Sequence, residues 1–318
     1  HGFLEEARKV FDQVVFWDVC LWNTLIAGYA QHGYNEAALS CFEEMQQKGV
    51  YPDPTTFICI LKVCGAAGWV KKGQEIHSRM MKEGFLQKKD LMLANAVVDM
   101  YAKCGAFLKA REVLDELPNR NVITWNVLMT GYNRHGHGKE ALECFEQLVQ
   151  EGLSANEASY ICILKACSSI GDIDKGQEIY LEVVRKGLLK KNILISNAIV
   201  DMLAKCGALV KAQEIFDELP RKDVILWTTL ISGYAQHGYY EEALDCFERM
   251  QHEGISPNTI TVSCILKACG DIGAAASGQQ IHSKIVIDGL EKDVTLSNAL
   301  LDMYAKCGKL SEAKEVFY

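Results

Sequence analysis

Apolar residues recur along the chain at the spacing of one face of an α-helix. Near the start they fall into two successive sets, Trp22, Leu25, Ile26 and Tyr29, then Ala37, Ala38, Cys41, Phe42 and Met45. Gly33 separates the two sets and Gly49 follows the second, as glycine commonly does at helix ends. The pattern predicts two antiparallel helices joined by a short turn.

The predicted helical pairs repeat in three related forms. The forms are typified by LWNTLIAGYAQHG, ICILKVCGAAG and ANAVVDMYAKCG. The first form begins at Leu21, Thr124 and Leu226, the second at Ile58, Ile161 and Ser263, and the third at Ala94, Ser196 and Ser297. A super-repeat of about 102 residues therefore runs through the chain, and its units must stack to bury their apolar faces. The sequence predicts an all-α fold, an α-solenoid with a concave groove.

Composition adds little to this fold prediction but excludes other classes of protein. Of the 318 residues, 49% are hydrophobic and 23% are charged, so the chain is neither disordered nor collagen-like. No apolar run is long enough to cross a membrane. Twelve of the 13 cysteines keep step with the super-repeat and none forms a CxxC pair, which argues against a zinc site. We interpret these cysteines as small apolar core residues.

The repeated phrases resemble the pentatricopeptide repeat family, in the subclass that alternates P, L and S motifs of about 35, 36 and 31 residues. NALLDMYAKCG, GYAQHG and ILKAC are similar to the family's S, P and L motifs. The resemblance implies one right-handed solenoid over residues 1–318. Its motifs are a partial S at 1–18, P at 19–53, L at 54–90, S at 91–121, P at 122–156, L at 157–192, S at 193–223, P at 224–258, L at 259–293 and a partial S at 294–318. The tetratricopeptide repeat, a peptide-binding helical pair of similar length, lacks this alternation of lengths.

The resemblance also implies that each P or S motif reads one base of single-stranded RNA. The reading residues are the fifth and the last of a motif: Asn23 with Asp53, Asn95 with Asn121, Asn126 with Asn156, Asn197 with Asp223, Thr228 with Asn258, and Asn298 without a partner residue in the chain. The second residue is implied to clamp the base, at Cys20, Met92, Ile123, Leu194, Ile225 and Thr295, of which Thr295 fits less well.

Physical chemistry alone leaves another interpretation of these residues open. A repeated Asn one turn into a helix is unfavourable unless its amide is used. The last residues of the motifs, however, are all Asp or Asn, which favour turns and helix N-caps. They are Asp18, Asp53, Asp90, Asn121, Asn156, Asn192, Asp223, Asn258 and Asp293. Capping therefore competes with base reading as their role.

The family's code, applied motif by motif, implies the site 5′-UNYYNUANY-3′. Residues 19–53 and 193–223 imply U, residues 91–121 and 122–156 imply a pyrimidine leaning to C, and residues 224–258 imply A. In the L motifs, Ile58 and Ile161 cannot hydrogen-bond a base edge, so we expect these motifs to space the RNA. Ser263 with Asp293 would imply G in a P motif, but we give this assignment little weight because the motif is of the L type.

One further motif position carries basic side chains, namely Lys103, Arg134, Lys205 and Lys306. They could meet RNA phosphates, or they could be solvated helix ends favoured by the helix dipole. The formal net charge of −8 is compatible with RNA binding but predicts modest non-specific affinity.

No catalytic motif appears, so we expect no enzymatic activity, no cofactor and no metal. The resemblance implies that the parent protein is a plant organellar specificity factor, in chloroplast or mitochondrion, for C-to-U RNA editing. It would position a deaminase supplied in cis beyond Tyr318 or in trans, because the HxE and PCxxC strings of that enzyme are absent here. Both ends interrupt a motif, so we expect a fragment.

A protein-interaction scaffold is the alternative function. The family's L motifs can bind small editing cofactor proteins, and Ile58 and Ile161 leave L-motif surfaces apolar. A scaffold predicts that changing Asn126 or Thr228 leaves RNA preference unaltered. No membrane partner is expected.

Overall fold

The computed structural model describes residues 2–86, 91–287, 289 and 293–317, and every regular element among them is an α-helix. Contacts between Cα atoms divide the chain into two compact units, residues 1–166 and 167–318. The division falls within one helix, α10. The prediction that residues 1–318 form one uninterrupted solenoid stays a prediction.

The first unit contains α1 to α9 and most of α10. Their bounds are α1 Gly2–Asp12, α2 Val19–Gln31, α3 Asn35–Gln47, α4 Pro54–Ala67, α5 Val70–Lys82, α6 Leu91–Lys103, α7 Phe107–Asp115, α8 Val122–Arg134, α9 Gly138–Gln150 and α10 Glu157–Ile170. The second unit contains α11 Ile173–Arg185, α12 Ile193–Lys205, α13 Leu209–Glu218, α14 Val224–Gln236, α15 Tyr240–His252, α16 Thr259–Ile272, α17 Ala275–Ile287, α18 Val294–Lys306 and α19 Leu310–Phe317.

The helices follow the motif spacing deduced from the sequence. Each complete motif contains two helices, and its first residue is the first residue of a helix: Val19, Pro54, Leu91, Val122, Glu157, Ile193, Val224 and Thr259. Within a unit, the first helix of each motif packs on the first helix of the next, as α4 does on α6 and α16 on α18. The fifth residue of every motif therefore lies one turn into a first helix.

Helix ends form where the residue types favour them. The predicted turn glycine Gly33 has a φ of +77°, a conformation that only glycine adopts without strain, and α2 ends two residues before it. At the other end of the helices, Asp or Asn side chains accept backbone N–H groups of the first turn. These N-cap residues are Asp18, Asp53, Asn121, Asn156, Asn192, Asp223, Asn258 and Asp293. Asp90 lies outside the described residues.

The core forms between helices of successive motifs. Trp22, Trp125 and Trp227, one in each P motif, are fully buried. Within each unit, a phenylalanine from the preceding second helix meets such a tryptophan edge-to-face, Phe11 on Trp22 at 4.6 Å and Phe216 on Trp227 at 4.5 Å between ring centroids.

A glycine in the second helix of each L motif allows an S motif to pack closely. A Cβ atom at Gly278 would lie 2.5 Å from the Sδ atom of Met303, and equivalent overlaps would arise between Gly73 and Met100. A side chain at these positions would displace the buried end of the methionine side chain.

The cysteines only partly match their interpretation as core residues. Cys41, Cys144, Cys246, Cys64, Cys167 and Cys269 are buried, and burial raises the pKa of Cys64 and of Cys144 to about 12. The six other repeated cysteines are half-buried, three of them directly after the last residue of a helix, and Cys20 is exposed. All thirteen are free thiols. No helix among the described residues combines the length and apolar content needed to cross a bilayer.

Candidate nucleic-acid interface

The predicted pair Asn23 and Asp53 is in direct contact. Asn23 lies on α2 with 9% of its surface exposed, and its Nδ2 donates to Oδ1 of Asp53 at 3.0 Å. Asp53 is at the same time the N-cap of α4, where its Oδ1 accepts the backbone N–H of Thr56 at 2.8 Å. The Thr56 hydroxyl lies 2.6 Å from Oδ1 of Asn23. Three side chains from two consecutive motifs therefore form one hydrogen-bonded cluster.

The second P motif repeats this cluster with Asn in place of Asp. Nδ2 of Asn126 donates to Oδ1 of Asn156 at 3.0 Å, and the Ser159 hydroxyl lies 2.8 Å from Oδ1 of Asn126. Oδ1 of Asn156 also accepts the backbone N–H of Ser159 at 3.0 Å. This orientation leaves the Nδ2 group of Asn156 pointing away from the cap.

The third P motif has a hydroxyl in place of the amide. The Thr228 hydroxyl meets the Thr261 hydroxyl at 2.6 Å, and the Thr261 oxygen lies 2.9 Å from Oδ1 of Asn258, which accepts the backbone N–H of Thr261 at 2.8 Å. Thr228 also bonds the backbone oxygen of Val224 at 2.6 Å. The predicted pair Thr228 and Asn258 is thus joined through Thr261.

The S motifs hold their pairs more loosely. Nδ2 of Asn197 lies 3.4 Å from the nearer carboxylate oxygen of Asp223, and the structure records no side-chain bond between Asn95 and Asn121. The Oδ1 atoms of Asn95 and Asn197 are buried and find no hydrogen-bond partner among the described residues. In the last, partial S motif, Asn298 is exposed.

The hydrogen bonds around Asp53 shift its titration. Burial would raise the pKa of the carboxyl group, but bonds from the Thr56 backbone, the Asn23 amide and the Thr56 hydroxyl together outweigh it. The pKa of Asp53 therefore lies below its ordinary value, and the group is a carboxylate at neutral pH.

The predicted clamp residues are solvent-exposed apolar side chains beside these pairs. Met92 is 70% exposed, Ile123 55%, Leu194 59% and Ile225 54%, and Cys20 and Thr295 are exposed as well. The second position of these P and S motifs therefore carries an exposed side chain in every copy. These side chains provide flat apolar contacts next to groups that hydrogen-bond.

In the second unit a groove of about 380 Å³ brings the predicted site residues together. Its walls include Ile225 and Thr228 of α14, Asn258 before α16, and Lys205 of α12. One clamp residue, one reading pair and one basic residue of the preceding motif therefore line the same depression.

The predicted phosphate-binding lysines are engaged with aspartates. Lys103 binds Asp99 at 2.7 Å and Lys205 binds Asp201 at 2.9 Å, in each case four residues apart on one helix. Lys306 binds Asp302 and Asp271, both at 2.8 Å. Arg134 is exposed, and the structure records no ion pair for it. Exposed ion pairs of this kind contribute at most about 1 kcal/mol to stability. An RNA phosphate could therefore replace the aspartate as the partner of the lysine, at a free-energy cost of that size.

Sequence reasoning missed two sets of residues on the first helices of the L motifs. Lys62, Lys165 and Lys267 lie four residues beyond the fifth position of the L motifs; all three are exposed, and no ion pair holds them within the described part of the chain. The sequence pattern that could have identified these lysines is their recurrence in the phrases ILKVC and ILKAC. The other set is Thr56, Ser159 and Thr261, whose recurrence three residues after a motif boundary resembled ordinary helix capping.

Comparison with known proteins agrees with this architecture. Models of the PPR repeat family match residues 18–66, 120–169 and 222–271, and models of the PPR repeat match residues 55–85, 93–122, 158–188, 195–224 and 296–318. A putative pentatricopeptide repeat-containing protein of Arabidopsis thaliana is 34% identical over 317 residues, which cover 99% of this chain and 51% of that protein. A chloroplastic pentatricopeptide repeat-containing protein of the same plant is 33% identical over 314 residues, covering 99% and 38%. A mitochondrial one is 31% identical over 316 residues, covering 99% and 30%.

The chain thus spans about half the length, or less, of these relatives. Among solved structures, the pentatricopeptide repeat protein PPR10 in complex with an 18-nt psaJ RNA element matches with a TM-score of 0.67 and 20% identity, over 100% of this chain and 51% of that one. PPR10 from maize matches with a TM-score of 0.59 and 20% identity, over 99% and 56%. The predicted fold class, an all-α solenoid of stacked helical pairs, is confirmed.

Proposed function

The chain belongs to the pentatricopeptide repeat family, and we propose that it binds single-stranded RNA sequence-specifically, one base to each P or S motif. The observation that carries this proposal is the contact between the fifth and the last residue of a motif, Asn23 with Asp53 and Asn126 with Asn156, beside exposed apolar residues. The PPR10 complex with an RNA element supports it at the level of the family.

The hydrogen-bond network explains how the last residue of a motif would distinguish bases. The bonds that fix Asp53 fall on Oδ1, so Oδ2 can accept, which suits the N3–H group of uracil. The bonds that fix Asn156 also fall on Oδ1, so Nδ2 can donate, which suits the unprotonated N3 of cytosine. The cap bond thus selects which group of the side chain faces a base.

The clamp residues supply the non-specific part of base binding. An unstacked base exposes two apolar faces, and burying one against Ile123 or Leu194 would remove exposed apolar surface from both partners. We propose that Cys20, Met92, Ile123, Leu194, Ile225 and Thr295 each contact one base in this way.

We assign the main phosphate contacts to the L motifs. Lys62, Lys165 and Lys267 carry charges that no ion pair neutralises within the described residues, whereas Lys103, Lys205 and Lys306 are paired. L motifs that cannot read a base would then still anchor the strand, and the acidic chain as a whole would bind non-specific RNA weakly. Arg134 and the three paired lysines are secondary contacts in this proposal.

Membership of the family also supports a proposal about the role in the cell. We propose the PLS subclass, an organellar location in chloroplast or mitochondrion, and the recognition of C-to-U editing sites for a deaminase supplied in cis or in trans. Relatives named chloroplastic and mitochondrial support the organellar location. This chain itself would be the recognition part without catalytic activity, and among its described residues no cluster of side chains could hold a metal ion.

Editing cofactor proteins are the proposed protein partners, through the L motifs. One observation favours such a contact: a groove of about 410 Å³ between α15 and α17, lined by Phe247, Ile281 and Lys284, with Val286 and Ile287 exposed on α17 nearby. A scaffold function without RNA recognition is the competing proposal. It predicts that the chain binds RNAs of different sequence equally well or not at all.

A binding titration at fixed salt tests the proposed function. One RNA contains UNYYNUANY, and the other replaces the A opposite residues 224–258 with G. We expect the first to bind about 5- to 150-fold more tightly, the range for one good base-edge contact. Equal binding of both RNAs, or no binding, would favour the scaffold.

A further inference from the structure

The third residue of each L motif has a contact that its position in the sequence did not predict. Thr56, Ser159 and Thr261 are fully buried, and each hydroxyl reaches back 33 residues to the fifth residue of the preceding P motif. The distances are 2.6 Å to Asn23, 2.8 Å to Asn126 and 2.6 Å to Thr228. The hydroxyl therefore belongs to the reading cluster of one motif although it lies on the next.

The single proton of the Thr56 hydroxyl is directed to Asn23. The Thr56 oxygen lies 2.6 Å from Oδ1 of Asn23 and 2.9 Å from Oδ1 of Asp53. The Asp53 oxygen already accepts from the Thr56 backbone and from the Asn23 amide, whereas Oδ1 of Asn23 has the hydroxyl as its recorded donor. Ser159 divides its contacts in the same way, at 2.8 Å to Asn126 and 3.1 Å to Asn156.

These bonds fix which end of the amide faces which way. In Asn126, Oδ1 accepts from Ser159 and Nδ2 donates to Asn156, so a half-turn about χ2 would break both bonds. The remaining N–H of Nδ2 is then the only amide hydrogen that a base could meet. A flipped amide would instead present its oxygen, which suits bases that donate.

The S motifs provide a natural comparison. The residue at the same position after the S motif 193–223 is Leu226, which has no hydroxyl, and Oδ1 of Asn197 is left without a partner. After the S motif 91–121 the residue is Thr124, whose hydroxyl bonds Asn121 at 3.0 Å and leaves Oδ1 of Asn95 without a partner. The amide is therefore held at both ends in the two P motifs that have one, at Asn23 and Asn126, and at one end or neither in the S motifs at 91–121 and 193–223.

We propose that the hydroxyl at the third residue of each L motif is a positioning group that sets the base discrimination of the preceding P motif. It acts through the fifth residue and does not touch RNA itself. This inference rests on the proposed RNA-binding function, and it makes each L motif part of the reading unit before it. It also implies that P motifs discriminate bases more sharply than S motifs do.

The test compares discrimination motif by motif. Ser159→Ala should lower the preference for pyrimidine over purine opposite residues 122–156 by about 5- to 10-fold, within the range for one base-edge contact. The preference opposite residues 19–53 should stay unchanged in the same variant, and Ser159→Thr should retain both. Thr124→Val is the matched control, because Thr124 is equally buried but bonds only the cap residue Asn121. Leu226→Thr should raise the preference opposite residues 193–223.

The possible outcomes separate the two levels of the proposal. Retained discrimination in Ser159→Ala would overturn the positioning role, as would an equal loss opposite every motif, which would indicate general destabilisation. Thermal melts of each variant accompany the titrations for that reason. If the chain without any substitution shows no preference among bases, that result would instead overturn the proposed function itself.

Discussion

Asn23 and Asp53 are 30 residues apart in the chain, yet their side chains meet at 3.0 Å, and Asp53 uses the same oxygen to cap α4. Capping and base reading had been competing interpretations of these residues. The geometry makes them compatible, because the cap bonds occupy Oδ1 and leave Oδ2 available to accept from a ligand. Helix capping positions the proposed reading group.

Replacing Asp53 by Asn should change base preference with little effect on stability. Asn and Asp are similar N-caps, so we expect the free energy of unfolding to change by less than about 0.5 kcal/mol. The free group opposite the base would become an amide donor, so preference should move from U to C by about 5- to 150-fold. Chemical denaturation and paired RNA titrations measure the two effects. Asp53→Ala is the contrast, with a stability loss of about 1 kcal/mol and no remaining preference. Continued preference for U in Asp53→Asn would contradict the assignment.

Salt dependence should identify the phosphate contacts. For a single-stranded nucleic acid, each neutralised phosphate contributes about 0.7 to the slope of log K against log salt. Replacing Lys62, Lys165 and Lys267 together by Gln should therefore reduce the slope by about 2. Lys139→Gln removes an exposed lysine of α9, on the second helix of its motif, and should leave the slope unchanged. A triple variant with the wild-type slope would return the phosphate role to Arg134 and the paired lysines.

The preference for U opposite residues 19–53 should persist in mildly acidic solution. Because the pKa of Asp53 is lowered in the folded state, its carboxylate stays ionised as pH falls, down to below the ordinary value for aspartate. Its contribution to stability has the same sign: it is complete above the unfolded pKa and is lost as pH falls through the folded one. Titrations with U- and C-containing RNAs at about pH 8 and pH 5.5 should give one ratio. A ratio that collapses between these values would contradict the hydrogen-bonded carboxylate.

RNA should protect Cys20 from alkylation. Cys20 is the exposed thiol among the thirteen and occupies a clamp position, whereas burial raises the pKa of Cys64, Cys144 and Cys167 to about 12 and makes those thiols unreactive. Mass spectrometry after brief treatment with iodoacetamide should show Cys20 modified first, and slowed by an RNA that contains the predicted site. An RNA of scrambled sequence at the same concentration is the control. Unchanged modification of Cys20 in the bound state would place the base elsewhere.

Much of this arrangement could be predicted because it is local and repeated. Helical spacing and turn glycines such as Gly33 located the helices, and the recurrence of Asn23 and Asp53 at fixed motif positions located the pair whose contact the structure records. The role of Lys103 was harder to predict, although its spacing of four residues from Asp99 could have indicated an ion pair.

The hydroxyl contacts lay beyond sequence reasoning for a physical reason. Thr56 and Ser159 sit at the third residue of a helix, where such residues ordinarily satisfy their own cap, as Thr56 also does for Asp53. Their second contact depends on how closely the first helices of consecutive motifs pack. That distance is set by side chains throughout the interface, and no local pattern records it.

The most direct test of base reading is to recode one motif. Thr261 already occupies the position that Thr56 has in the motif at 19–53, so Thr228→Asn with Asn258→Asp would rebuild the cluster of Asn23, Asp53 and Thr56. Titrations with RNAs carrying A, G, C or U opposite residues 224–258 should show the preferred base change from A to U, with unchanged preferences opposite the other motifs. Binding that stays the same for all four bases, before and after the double substitution, would contradict one-base-per-motif recognition.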